Sequence, residues 1–177
     1  MVNVIICGTP GTGKSTIIER LKNDGLFDKA RHINVSRYAI ENDCTSGYDE
    51  EFESYDIDED KLEKSLRPLL EDTNTVNIIE SIHADIVPPE LVDLVFVCRT
   101  NNTLLYDRLK SRNYSEKKVS ENLQAEIFQT IMDEAMETYD KPIVHELVND
   151  TLTDLERNSK EIVEKTSHIV ELKRRCN

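Results

Sequence analysis

A glycine-rich stretch near the N-terminus has the residue types and the spacing of a phosphate-binding loop. It consists of Gly8, Thr9, Pro10, Gly11, Thr12, Gly13, Lys14 and Ser15. Glycine lets the backbone adopt the angles that turn successive N–H groups inward on an anion. We expect Lys14 to reach the β- and γ-phosphates of a nucleotide, Ser15 to bind Mg²⁺, and Thr16 to lie near the α-phosphate. The stretch therefore predicts binding of ATP or GTP together with Mg²⁺.

The flanking residues predict the elements that hold this loop in place. Residues 2–6 form a short, mostly β-branched apolar run, which is typical of a buried strand. From Lys14 to about Asn23 the pattern predicts a helix, and the positive N-terminal end of that helix favours the same anion. The alternative is a glycine-rich turn followed by a chance Lys-Ser pair. The complete pattern between a strand and a helix argues against that alternative.

Beyond the loop, short apolar runs alternate with helical patterns. Strands are predicted at residues 2–6, 32–35, 76–79, 94–98 and 142–145. Helices are predicted at residues 14–23, from Ser36 as a cap, from Asp58 as a cap, at 104–113, at 116–139, and from a Thr153/Glu156 capping box. We expect Leu123, Ile127, Ile131 and Ala135 to face inward. The alternation predicts an α/β fold with a five-stranded, parallel, doubly wound sheet that binds ligands at the carboxyl ends of its strands.

The composition limits the possible partners. A chain of 177 residues suits one domain, and 35 acidic against 22 basic residues give a formal net charge of −13. Because such a molecule repels nucleic-acid phosphates, we expect no direct sequence-specific binding of nucleic acid, and we expect a macromolecular partner to be basic. The acidic segment from Asp49 to Asp60 is predicted to be a solvated flap, either a plain surface loop or a docking face for such a partner.

Membrane and disulfide signals are missing from the sequence. No apolar run approaches the roughly eighteen residues that a membrane span needs, so we expect no membrane association and an intracellular location. The four cysteines are far apart and match no metal or redox spacing, which favours reduced thiols in structural roles. They are Cys7, Cys44, Cys98 and Cys176.

Several further stretches resemble one family, the adenylate kinase isoenzyme six group, also described as a coilin-interacting nuclear ATPase. Single stretches are weak signals, but their order and spacing together are specific and cover nearly the whole chain. In addition to the phosphate loop, they are Ile33-Asn34-Val35, residues 47–51 and 58–60, Val95-Phe96-Val97 with Arg99-Thr100, Tyr114 with residues 116–118, residues 126–129, and residues 143–147.

The resemblance implies an adenylate kinase-like fold with a nucleoside monophosphate-binding segment near residues 33–62 and a short lid near residues 108–118. It implies phosphate transfer from ATP to AMP and ATP hydrolysis. It also implies a role in small ribosomal subunit maturation and 18S rRNA processing, through pre-ribosomal particles and a basic platform ribosomal protein, in nucleus and cytoplasm. The alternatives are a metabolic nucleoside monophosphate kinase, and a nucleotide-gated assembly chaperone with weak catalysis.

Arg108 and Arg112 are predicted to be catalytic. They lie four residues apart on one predicted helix face, so both can swing over the phosphates when the lid closes. They resemble the lid arginines of the family, which stabilise charge on the transferring group. Pairing with surface acids such as Asp107 is the alternative.

Lys14 is also predicted to be catalytic, and a fourth catalytic residue, His83, is predicted from the resemblance. The family has an Asp-x-His motif after the third strand, and this chain reads Ser81-Ile82-His83 there. Serine is a poor substitute for the carboxylate that anchors Mg²⁺. Glu80 can serve only if the strand ends or bulges there, because adjacent strand residues face opposite sides. Asp85 is another candidate, and a plain loop position remains open for His83.

Departures also occur where the resemblance places AMP and the adenine ring. The family has an arginine where Ile40 stands here, and Arg37, one turn earlier, is predicted to replace it as the phosphate contact. His145 and Asn149 line the adenine pocket by resemblance. A place within a core strand is the alternative for His145.

Overall fold

The computed structural model describes residues 1–23, 25, 27–50, 53–72 and 75–176. The strands are Val2–Cys7 (β1), Arg31–Asn34 (β2), Thr45–Asp49 (β3), Ser54–Ile57 (β4), Val76–Glu80 (β5), Leu94–Arg99 (β6) and Val144–Val148 (β7). The α-helices are Lys14–Leu21 (α1), Val35–Glu41 (α2), Glu59–Leu70 (α3), Asn102–Ser111 (α4), Glu116–Ile127 (α5), Thr130–Thr138 (α6) and Leu152–Cys176 (α7). Short 3₁₀ turns, Pro89–Leu91 and Lys141–Ile143, precede β6 and β7.

Five of the strands form one parallel sheet in the order β2-β5-β1-β6-β7. The predicted α/β fold with a five-stranded parallel sheet flanked by helices is confirmed. β1 is the central strand, with β5 and then β2 on one side of it and β6 and then β7 on the other. The loop that follows β1 therefore leaves the middle of the sheet at its carboxyl edge, where sheets of this kind bind ligands.

Alternating side chains of the sheet supply two apolar layers. On one face Ile5 and Val97 pack with Leu66 of α3 and Ala135 of α6. On the other face Ile6 and Phe96 pack with α1 and α7. Because both faces are covered by helices, every residue of β1 is buried. The phosphate loop is thus attached to the most deeply buried strand.

The acidic segment contains a β-hairpin that its composition did not predict. β3 and β4 pair as an antiparallel ribbon, and the Tyr48 and Tyr55 rings lie opposite each other, edge to face, with centroids 4.9 Å apart. Most of its side chains are exposed, as expected for a solvated flap. Strand pairing was missed because Asp and Glu disfavour strands and only the cross-strand aromatic pair offsets them. Glu51 and Phe52 lie outside the described residues.

The predicted helix at residues 116–139 is wrong as a single element. Gln129 has a left-handed φ of 59°, which ends α5 and starts α6 in a new direction. Ile131 and Ala135 are buried as predicted and Leu123 is partly buried. Ile127 was expected to face inward, but it is 53% exposed because the helix turns immediately after it.

Two predicted helix starts are displaced. The Asn34 side chain, rather than Ser36, caps α2 by accepting from the Arg37 N–H. At α7 the capping box is Thr151 with Asp154, two residues before the predicted pair. The predicted cap of α3 is confirmed, since Asp58 accepts from the Lys61 N–H.

No helix in the described ranges is both long enough and apolar enough to cross a membrane. Cys7, Cys44 and Cys98 are buried free thiols, as predicted. Burial raises the pKa of Cys98 to about 12 and raises that of Cys7 further. Both thiols are therefore protonated and unreactive at neutral pH.

Candidate functional site

The loop after β1 packs so tightly that it requires glycine. Gly8, Gly11 and Gly13 all have positive φ, at 140°, 95° and 95°. A Cβ atom at Gly8 would collide with the Cys98 carbonyl oxygen, and one at Gly13 with the Asn149 amide. Gly13 is the N-cap residue of α1, so no side-chain hydrogen bond caps the start of this helix. The uncapped N–H groups of the first turn are the kind of donors that bind an anion.

Lys14 lies over the loop, and the residue is only 8% exposed. Its Nζ donates to the carbonyl oxygens of Gly8 at 2.6 Å and Thr9 at 3.1 Å. Burial lowers the pKa of Lys14. The ammonium group is therefore held at the loop by backbone dipoles, within the space where a phosphate would be bound.

Ser15 contacts the acid that the sequence left undecided. The Ser15 hydroxyl donates to Glu80 Oε1 at 2.6 Å. The resemblance placed the carboxylate position at Ser81, but β5 ends at Glu80, so the condition under which Glu80 could serve is met. The Ser81 N–H instead continues the backbone pairing with the Ile6 carbonyl. Glu80 is thus the acid beside Ser15, one residue before the position that the resemblance predicts for it.

The other carboxylate oxygen of Glu80 is bound by residues of β2. Glu80 Oε2 accepts from the Asn34 amide at 3.0 Å and lies 2.9 Å from His32 Nε2. Burial by itself raises the pKa of Glu80, but the hydrogen bonds from His32, Ser15 and Asn34 outweigh it and lower the pKa to about 2. The carboxylate is therefore an anion throughout the neutral range.

These groups surround one pocket of about 210 Å³ at the carboxyl edge of the sheet. The phosphate loop forms one wall, and the ends of β2 and β5 and the α4–α5 connection form the others. The wall contains Pro10, Gly11, Gly13, Lys14, Ser15, Thr16, Asn34, Ser36, Glu80, Ser81, Ile82, Arg112 and Tyr114. Most of the sequence-predicted loop residues are thus brought together.

A buried carboxylate braces the loop from behind. Glu126 of α5 is 1% exposed, and its Oε2 accepts from the Thr9 hydroxyl at 2.7 Å. Its Oε1 accepts from Arg99 Nε at 2.6 Å and from the Thr100 N–H at 3.1 Å. One side chain therefore joins the phosphate loop, the end of β6 and α5. The sequence placed Glu126 in a resembling stretch without a role.

The two predicted lid arginines occupy different places. Arg112 lines the pocket. Arg108 donates to the carbonyl oxygens of Gly11 at 3.2 Å and Asp150 at 3.1 Å, so it holds the loop against the connection after β7. Asn149 supports the same contact by donating to the Thr12 carbonyl at 2.9 Å. α4 ends at Ser111, and Arg112 is therefore outside the helical spacing that placed it beside Arg108.

Three further predicted site residues do not line the nucleotide pocket. Arg37 is exposed and 3.9 Å from Glu41. His83 follows β5 but is 58% exposed at its side chain and pairs with Glu134. His145 packs against Phe96 with centroids 5.4 Å apart, and burial lowers its pKa. Their assigned roles stay predictions, and in the described part of the chain the pocket includes none of them.

Comparisons with known proteins identify relatives of this chain. A family model described as an AAA domain matches residues 4–129. The chain is 44% identical over 161 residues to the adenylate kinase isoenzyme 6 homolog FAP7 of Saccharomyces cerevisiae, which covers 91% of this chain and 80% of that protein. It is 41% identical over 152 residues to the adenylate kinase isoenzyme 6 homolog of Drosophila melanogaster, which covers 86% of this chain and 84% of that one.

A solved structure shows the same fold at low identity. The shikimate kinase from Bacteroides thetaiotaomicron superposes with a TM-score of 0.57 over 92% of this chain and 96% of that chain, at 14% sequence identity. That likeness concerns the fold alone. The sequence identity across most of both partners is the stronger finding, and by it the chain belongs to the adenylate kinase isoenzyme 6 family of adenylate kinase-like nucleotide kinases.

Proposed function

We propose that the protein is an adenylate kinase that also hydrolyses ATP. In transfer, the bond between the γ-phosphorus and the β–γ bridging oxygen breaks, an oxygen of the AMP phosphate forms the new bond, and two ADP result. In hydrolysis water takes the place of AMP, and ADP and phosphate result. The observation that carries the proposal is the Ser15–Glu80 contact at 2.6 Å inside the phosphate-loop pocket.

The residues present fit a magnesium ion. Mg²⁺ prefers oxygen ligands, and the Ser15 hydroxyl and the Glu80 carboxylate offer them side by side. We assign Ser15 and Glu80 as the groups that hold it, directly or through water. When bound, Mg²⁺ neutralises charge on the β- and γ-phosphate oxygens.

The chain's own cations complete the electrostatic environment. Lys14 now donates to two loop carbonyls, and it exchanges these bonds for phosphate oxygens when ATP binds. Arg112 reaches the same pocket from the proposed lid at residues 108–118. Because the loop N–H groups are fixed before the substrate arrives, little reorganisation is needed during transfer.

The acceptor side is formed by the proposed monophosphate-binding segment at residues 33–62. Asn34 and Ser36 provide neutral polar groups there, and Arg37 lies nearby on the surface. The Arg37–Glu41 pair is exposed, and such pairs contribute only about 0–1 kcal/mol. Arg37 can therefore leave Glu41 at little cost and contact the AMP phosphate.

A product assay tests the proposed reaction. ADP and inorganic phosphate are measured from ATP and Mg²⁺ with and without AMP, and an EDTA-treated sample is the blank. We expect two ADP for each AMP consumed, slower release of ADP with equal phosphate when AMP is omitted, and neither in EDTA. If AMP is not consumed, the protein is not an adenylate kinase. Faster consumption of CMP or UMP would instead identify a broader nucleoside monophosphate kinase.

The cellular role that we propose is maturation of the small ribosomal subunit, in nucleus and cytoplasm, through a basic platform ribosomal protein. The net charge of −13 and the exposed acidic hairpin β3–β4 support a basic partner electrostatically.

Salt dependence tests that partner. The purified ribosomal protein is expected to bind at low salt and to weaken at least about tenfold between 50 and 300 mM NaCl, because exposed charges are screened. Asp56→Asn combined with Glu59→Gln is expected to weaken binding at low salt, whereas Glu161→Gln on α7 serves as the control. Absence of binding at 50 mM NaCl contradicts the proposal.

A further inference from the structure

A second group of metal-ligating side chains lies outside the nucleotide pocket. It comprises His83, Asp85 and Glu134, and one possible ligand atom of each lies within 4.8 Å of the others. His83 and Asp85 belong to the loop after β5, and Glu134 belongs to α6. These are one imidazole nitrogen and two carboxylates, and Glu134 is 49 or more residues from the other two in the sequence.

The loop that carries two of these ligands is anchored. The Tyr139 hydroxyl donates to the carbonyl oxygens of Ala84 at 2.9 Å and Val87 at 2.7 Å. Ala84 and Val87 are 0% and 1% exposed. The exposed side chains of His83 and Asp85 therefore project from a backbone fixed against the core, and a fixed backbone positions ligands better than a free loop does.

Glu134 is oriented in the same way. Its Oε2 accepts from the Ala84 N–H at 3.2 Å, and its Oε1 lies 3.3 Å from His83 Nδ1. One oxygen is thus tied to the backbone while the other faces the imidazole. Hydrogen bonds that orient a carboxylate in this manner are typical of ligands in metal sites.

The ligand chemistry selects the class of ion. Two carboxylates and a neutral imidazole carry a combined charge of −2, which a divalent cation balances. Imidazole nitrogen suits Zn²⁺, Co²⁺ and Ni²⁺, whereas Mg²⁺ prefers oxygen ligands and retains its water. The Ser15–Glu80 pair consists of oxygen donors and is therefore a different kind of site.

We propose that His83, Asp85 and Glu134 form a binding site for a divalent transition metal ion, separate from the magnesium ligands of the nucleotide pocket. Such an ion links the loop after β5 to α6. Ile82 lines the nucleotide pocket and directly precedes His83, whereas His83, Asp85 and Glu134 themselves are not among the described residues that line it. The site does not depend on the proposed reaction.

Titration with Co²⁺ tests the site. The nucleotide-free protein is held in millimolar MgCl₂ so that Mg²⁺ competes for the oxygen-ligand site. Co²⁺ binding is followed by calorimetry and by paramagnetic broadening of histidine ring signals in NMR spectra. We expect one equivalent of Co²⁺ to bind and the His83 ring signals to broaden first. His83→Ala and Asp85→Asn are each expected to weaken binding at least about tenfold.

His168→Ala is the matched control, because His168 is also exposed but lies on α7. It is expected to bind Co²⁺ as the unaltered protein does. The proposal is overturned if no Co²⁺ binds in the presence of Mg²⁺, if His83→Ala leaves the affinity unchanged, or if His168 is the ring that broadens.

Discussion

Replacing Glu80 with glutamine is expected to lower kcat for ADP formation by about 10²–10³-fold, or about 3–4 kcal/mol of transition-state stabilisation. Glutamine keeps the length of the side chain and an oxygen that can accept from Ser15. It removes the negative charge that His32, Ser15 and Asn34 stabilise. The variant therefore separates the charge of residue 80 from its shape.

The Mg²⁺ dependence is the measurement that distinguishes this role from a structural one. Rates are recorded over a series of Mg²⁺ concentrations at saturating ATP. We expect Glu80→Gln to require more Mg²⁺ for half-maximal rate, and we expect Glu19→Gln, an exposed glutamate of α1, to match the unaltered protein. A Glu80→Gln variant with kcat within threefold of the unaltered protein and an unchanged Mg²⁺ requirement shows that Glu80 does not serve the metal.

The Glu80 carboxylate also contributes to the stability of the folded protein. Its lowered pKa determines whether that contribution rises or falls with pH. The pKa of Glu80 is lowered from 4.5 to about 2 in the folded protein. The folded state therefore releases this proton more readily than the unfolded chain does, and the stabilisation is present above about pH 4.5 and disappears as the pH falls toward 2. Glu80→Gln lacks this contribution, so its free energy of unfolding should fall less steeply over that interval.

The parts of the site that are local in sequence could be predicted, and the parts that depend on strand ends and strand order could not. Gly8, Gly11 and Gly13 lie within a few residues of Lys14 and Ser15, so a pattern alone places them in one loop, and all three have the positive φ that favours glycine. The role of Glu80 depends on β5 ending at that residue, which apolar spacing does not specify to within one position.

Residues from separate elements were missed for a related reason. His32 and Asn34 reach Glu80 only because β2 pairs with β5, and Asn34 is opposite Glu80 in the register. The sequence pattern predicts where strands occur, but it does not predict their order in the sheet. Glu126 and Arg99 are 27 residues apart, and neither spacing nor composition indicates that they share a hydrogen bond behind the loop.

Replacing Glu126 with alanine is expected to lower the free energy of unfolding by about 3–5 kcal/mol. The substitution leaves the Arg99 guanidinium, 16% exposed at its side chain, without its nearest carboxylate. It also removes the acceptor for the Thr9 hydroxyl and the Thr100 N–H. Buried donors without an acceptor cost about 1–3 kcal/mol each, so the loss exceeds that of the ion pair alone.

Denaturant unfolding with a matched control measures the effect. Arg99 also contacts Glu146, at 3.4 Å, but the side chain of that glutamate is 48% exposed. Glu146→Ala is therefore expected to cost only about 0–1 kcal/mol. Glu126→Gln keeps one acceptor oxygen and should fall between the two alanine variants, so it gives a measurable value even if Glu126→Ala does not fold.

The connection from Glu126 to Thr9 also predicts an effect on nucleotide binding. The Thr9 hydroxyl is bound to Glu126 of α5, and the Thr9 carbonyl accepts from Lys14. Because Glu126→Gln weakens the contact that holds Thr9 in place, we expect this variant to bind ATP about tenfold more weakly. Thr9→Val removes the same bond from the other side, and the two substitutions together should then weaken binding less than the sum of their separate effects. Additive losses, or a Glu126→Ala variant within about 1 kcal/mol of the unaltered protein, would show that Glu126 does not brace the phosphate loop.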